Sequence, residues 1–212
     1  MTSDRARFFV FLVFLVFFVQ FVDRFLGSAK SDPRINTNDF MKLPPEQRSL
    51  LLNAWRTNNR VTTFLIENIS DALWVAAVPG APRRSVRMIA GHIHNARCMW
   101  IKTLGLGHGI LSPCVVNRHK VGRKELILAL GRSGRGIADL LKLGSEHGGT
   151  IPASSSYAWR NLPLDVGHVL TYFVAHEGHH RGQIVMIARQ VGHRLPVEVT
   201  GGLWQWSKRA KE

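Results

Sequence analysis

Phe173-Val-Ala-His-Glu-Gly-His-His-Arg-Gly-Gln-Ile184 is the stretch on which the reading of this chain turns. A helix advances about 100° per residue, so His176 and His180 lie only about 40° apart on its surface, with Cβ atoms ~5–6 Å from one another. The same count puts Val169, Tyr172, Phe173 and Ile187 on that face, so both imidazoles point inward, where each needs a partner. His179 falls near the edge of the face. Asp165 supplies an N-cap and Gly192 stops the run after Val191, which bounds the helix at both ends.

Working outward, three more helices precede it. The first begins after Pro44-Pro45 and reaches about Ile69, with Leu51, Trp55, Thr62, Leu65, Ile66 and Ile69 at three- and four-residue steps. A loop, Ser70 to Arg84, contains Pro79-Gly80-Ala81-Pro82, and Ser85 then caps a second helix running to about Leu104, with Met88, Ile89, Ala96 and Met99 as its expected stripe. The third spans about Arg123 to Leu143, with Leu126, Leu130, Ile137, Leu140 and Leu141 facing inward. Gly131, Gly134 and Gly136 inside it cost about 1 kcal/mol each against Ala. A tail with Trp204 and Trp206 is expected to pack on the bundle. No alternating strand pattern of useful length appears, so residues 41–212 read as an all-α four-helix bundle.

The first forty residues differ in composition: nine of the 11 Phe lie there. Phe8 to Val22 is apolar except for Gln20, and as a helix would reach roughly 22 Å, short of a ~30 Å hydrocarbon core. Residues 1–40 therefore read as a hydrophobic N-terminal segment and polar linker, either a signal peptide or anchor or an extension foreign to the domain. Export or membrane attachment depends on residues 8–22; the domain itself reads as cytoplasmic. From Met41 onward 23 Lys and Arg stand against 10 Asp and Glu, so the basic character belongs to the domain. Those residues are scattered, with no basic stripe interleaved with aromatics, and specific nucleic-acid binding is not expected. Cys98 and Cys114 without CxxC spacing exclude a disulfide framework, a zinc ribbon and an iron–sulfur site.

A metal on His176 and His180 needs a third ligand, and His92 sits in the second helix's expected stripe while His94, two residues on, is turned about 160° from it. Three neutral imidazoles leave a divalent ion its full charge and an open position for water or substrate. The competing reading, in which the three merely hydrogen-bond in the core, is weakened by the i,i+4 pair. His176-Glu177-x-x-His180 also satisfies the zinc-protease motif, with Glu177 as general base. The extended form fails, because Gln183 and Met186 stand where it needs Gly and His.

Ser85-Val86 and Ala90-Gly91-His92-Ile93 on the second helix, with His176-x-x-x-His180-Arg181-Gly182-Gln183 on the last, resemble the DinB/YfiT-like superfamily over about Leu50 to Trp206. The resemblance implies an up-down-down-up four-helix bundle and a divalent ion, zinc or nickel most often, on His92, His176 and His180. It also implies a frequent homodimer, and relatives that include S-transferases and an isomerase dependent on low-molecular-weight thiols such as bacillithiol or mycothiol. The Phe-rich amino terminus and the extra His94 and His179 depart from the pattern. The expected function is thus a metal-dependent enzyme, a thiol-dependent S-transferase or a hydrolase, acting on a small electrophilic molecule. The alternatives are a non-catalytic metal-binding sensor or interaction bundle and an HExxH-type zinc hydrolase.

Around the site, Gln183 is expected to hydrogen-bond a ligand imidazole. Asn58 and Asn59 are expected either to meet the metal's open side or to be solvated. His168 is expected to be a satisfied helix residue, Arg181 to pair with a carboxylate or an anionic substrate, and Cys98 to be a small buried hydrophobe.

Overall fold

The structure, a computed structural model, describes residues 42–157 and 161–212. The expectations for residues 1–40 fall outside the described residues. Helix α1 (Pro45–Glu67) starts with proline at its first position, where the missing N–H leaves no gap in the ladder. A short α2 (Asp71–Val75) and a hairpin of β1 (Ala77–Val78) and β2 (Ala81–Ser85) follow. Pro79 and Gly80 turn that hairpin, with Gly80 at φ 75°, a value glycine adopts without strain. It is too short to show as alternation in the sequence.

Ser85 caps α3 (Val86–Gly105) by accepting from the Met88 N–H, and Asp165 caps α5 (Val166–Gln190) by accepting from the His168 N–H. Between them runs α4 (Arg123–Glu146), where the Glu125 carboxylate accepts from the Gly122 N–H. Two short helices, α6 (Val197–Gly202) and α7 (Trp206–Arg209), close the chain.

Side-chain pairs fix how the long helices run. Trp55, Asn58 and Thr62 meet Phe173, Glu177 and Arg181 in the same order, so α1 and α5 are parallel. Trp100 meets Tyr172, Arg97 meets Glu177 and His92 meets His180, so α3 and α5 are antiparallel. Two apolar clusters lie between the helices, one around Leu65, Ile89, Ile93, Leu126 and Ile184 and the other around Trp55, Trp100, Ile137, Leu140 and Phe173. The predicted stripes of α1 and α4 are found in this core.

The stripe of α3 is rotated from expectation. Met99 is 50% exposed, and Met88 and Ala96 are only half-buried, while Ile89, Ile93, Arg97, Trp100, Ile101 and Leu104 face inward. The buried face includes a charged residue, Arg97, because the carboxylate of Glu177 meets its guanidinium there. The tail also departs from expectation, since Trp204 is 84% exposed and Trp206 half-buried. The helical glycines of α4 have a packing reason. A Cβ on Gly136 would lie 2.6 Å from Ile101 Cδ1, and one on Gly134 would lie 2.8 Å from Asn59 Oδ1.

Candidate metal centre

Three imidazoles converge between α3 and α5. One ring nitrogen from each of His92, His176 and His180 falls within 4.8 Å of the others. The two Nε2 atoms of His176 and His180 are 3.2 Å apart. Two nitrogens bound to one zinc in tetrahedral geometry, each at about 2.05 Å, sit ~3.3 Å from one another, so the helical pair is already at ligand spacing. The rings of His92 and His180 stand edge-on, with centroids 4.7 Å apart. The donor set suits a divalent ion: three nitrogens, no thiol, and no carboxylate in the cluster.

Neighbours hold these rings in place. The His180 Nδ1 lies 2.8 Å from Gln183 Oε1, an acceptor, so Nδ1 carries the proton and Nε2 presents its lone pair to the centre. The Gln183 amide nitrogen in turn donates to His179 Nε2 at 3.0 Å. His176 is stacked on Tyr172, whose hydroxyl accepts from Trp100 Nε1. All three imidazoles are biased to the neutral, ligating form. Burial, then the neighbouring His180 and His92, pushes His176 down from 6.5 to about 4. Burial likewise lowers His92, helped by His180, Arg118 and Arg84, and it lowers His180.

His94 is excluded from this centre, in line with the helical count. Its Nε2 donates to the Cys114 carbonyl at 3.0 Å, and its Nδ1 accepts from the Ser133 hydroxyl at 3.0 Å. Both ring nitrogens are occupied. Cys98 is buried beside it, and desolvation raises its thiol pKa, which suits a packing residue and not a nucleophile. His168 bonds Asp165 at its own helix cap.

Glu177 is not free to act as a general base. It is fully buried, and Arg97 donates Nε to Oε1 at 2.7 Å and Nη2 to Oε2 at 2.8 Å. Oε2 also accepts from Asn58 at 3.0 Å and Thr62 at 2.8 Å. Burial opposes the charge on Glu177, but Arg97, Arg181 and these bonds outweigh it and hold the carboxyl below its usual range. The protease assignment fails on this geometry. Asn58 and Asn59 are corrected with it: neither is a solvated surface group. Asn58 links Glu177 to Arg181, and Asn59 accepts from Arg97 at 2.7 Å. Arg181 pairs with a carboxylate, as expected, 3.7 Å from Glu177.

This buried ionic network was missed from sequence. Arg97 lies four residues from both Ile93 and Ile101, and Glu177 lies four from Phe173; charges at those steps on apolar faces were the available signal. A separate groove of about 430 Å³, lined by Gly178, Gly182, Val185, Met186, Leu203 and Trp204, occupies a different face of α5. Among the described residues no helix is long and apolar enough to cross a membrane.

A family model described as the DinB family matches residues 38–209. No curated protein and no solved structure matches the chain.

Proposed function

The chain belongs to the DinB family, and on that footing we propose that it is a metal-dependent enzyme of up-down-down-up bundle topology that acts on a small electrophilic molecule. His92, His176 and His180 would hold the ion, zinc or nickel. A divalent ion held by three neutral donors supplies Lewis acidity, lowering the pKa of a thiol or water that joins it. With a low-molecular-weight thiol as co-substrate the reaction is an S-transfer; with water it is a hydrolysis.

The convergence of three neutral imidazoles, without a competing carboxylate, carries this reading. The chain's own contribution is preorganisation. Gln183 fixes the His180 tautomer, Tyr172 holds the plane of His176, and the Arg97–Glu177 pair fixes α3 against α5 so that His92 stays opposite the helical pair. Expected partners are the small-molecule substrate and a second copy of the chain.

The test is to incubate zinc- or nickel-loaded protein with an electrophilic aromatic or epoxide panel, with and without thiols, and to follow products by mass spectrometry. Thiol adducts that form only with wild type, and not with His176→Ala, support the transferase. Hydrolysis products without thiol support the hydrolase. Full metal occupancy with neither product returns the site to a metal-binding sensor.

A further inference from the structure

Among the described residues, the fixed charges that act most on the histidine cluster and are not neutralised within the protein are positive. Arg84 and Arg118 both act on His92, and Arg84 acts on His180 as well. Glu177, a carboxylate that acts on His176 and His180, is consumed by Arg97 and Arg181. Arg84 and Arg118 are exposed and have no carboxylate partner among the described residues.

The position of Arg118 is built by the fold. The loop after α3 is strapped to that helix: Asn95 exchanges two hydrogen bonds with the backbone of Val116, at 3.0 and 2.9 Å, and the Ser112 hydroxyl donates to the Cys98 carbonyl at 2.8 Å. The strap lays the Arg118 side chain across Gly91, next to His92. A Cβ at Gly91 would stand 3.1 Å from Arg118 Cγ, so the absent side chain is what lets the arginine lie so close. Arg84 stands at the end of β2, directly before the Ser85 cap of α3.

We propose that Arg84 and Arg118 form a clamp for the negatively charged tail of the molecule that enters the three-histidine site, so that its substrate or co-substrate is an anion bearing a carboxylate or phosphate. The proposal rests on the metal reading above and deepens it. Three neutral ligands leave a divalent ion uncompensated, and two further cations beside it add to a field that only an incoming anion neutralises. Guanidinium suits the task because its fork pairs with both oxygens of a carboxylate or phosphate. These are specificity residues: they act on the tail of the ligand and not on the reacting atoms.

The test compares two thiols with the same metal-seeking head, anionic 3-mercaptopropionate and neutral 2-mercaptoethanol, by titration calorimetry on zinc-loaded protein. Wild type is expected to bind the anionic thiol about tenfold more tightly, at the scale of one charged hydrogen-bonded contact. Arg118→Gln and Arg84→Gln should each bring the ratio toward one while leaving zinc content and the neutral thiol's affinity unchanged, and Arg135→Gln on α4 should change neither. A wild-type ratio near one, a ratio unaffected by either substitution, or no binding of the anionic thiol overturns the clamp. Zinc content of the same samples separates the two claims. If wild type takes up no zinc, the metal reading falls. The clamp is then read on metal-free protein from the Arg84 and Arg118 side-chain NMR signals on adding 3-mercaptopropionate: selective shifts support it, and their absence overturns it.

Discussion

Arg97 and Glu177 meet through two hydrogen bonds, 2.7 and 2.8 Å long, in the interior of the helical domain, with side-chain exposures of 1% and 0%. Each charge is tolerable only because of the other. Glu177→Gln leaves a buried guanidinium uncompensated, which costs about 3–5 kcal/mol, far more than an idle surface glutamate would. Urea denaturation should show that loss, and Glu177→Leu combined with Arg97→Met should recover only part of it, because Arg181, Asn58 and Thr62 lose the same carboxylate. A Glu177→Gln protein as stable as wild type would contradict the network.

The histidine pair makes opposite predictions for two neighbours on α3. His92→Ala should abolish tight metal binding with little loss of stability, since His92 is half-buried at the edge of the core. His94→Ala should leave the metal in place but cost about 1–3 kcal/mol, because it removes a buried side chain and the donor that satisfies the Cys114 carbonyl. Metal content and thermal denaturation on both variants separate the roles.

Gln183→Ala removes the acceptor that fixes the His180 tautomer. Loss of such a partner weakens metal affinity by about 10–100-fold, and Gln183→Glu, which retains an acceptor, should restore most of it. Competition with a chromophoric chelator measures both.

Much of the fold was legible because apolar residues at helical steps in α1, α4 and α5 have one buried arrangement, and because Asp165, Ser85 and Gly192 mark ends by local chemistry. The His176 and His180 pair was legible for the same reason, since four residues are about one turn, whereas His92 was set apart from His94 only by the helical count, the stripe used to place it being rotated in the structure. What stayed hidden depends on long-range pairing. Arg97 and Glu177 are charged residues 80 positions apart, and only the packing of α3 on α5 shows that each is buried against the other. Gly134 and Gly136 read as weaknesses of α4 until Asn59 and Ile101 are seen to fill the space beside them.

Those glycines carry their own prediction. Gly131→Ala has only the Arg135 guanidinium at 4.0 Å, and should stabilise by up to about 1 kcal/mol through helix propensity. Gly136→Ala collides with Ile101 and should destabilise instead. Equal effects from the two would contradict the packing described.

In the metal-free protein, acid should act through His176. Its pKa falls from 6.5 in the unfolded chain to about 4 in the folded one, so between those values the unfolded chain holds more protons. Stability is therefore complete above about pH 6.5 and declines as pH falls toward 4, by at most roughly 3 kcal/mol from this group and less because the ring is partly exposed. Denaturation with chelator present across that range should show the slope, and His176→Ala should make it shallower, the lowered His92 and His180 keeping the remainder.

The central claim is tested most directly by metal analysis of protein purified without a histidine tag or added metal, comparing wild type with His92→Ala and His176→Ala. Near-stoichiometric zinc or nickel in wild type, lost in both variants, is the predicted result. No metal in wild type, and none taken up on titration, would contradict the account and leave His92, His176 and His180 as core histidines.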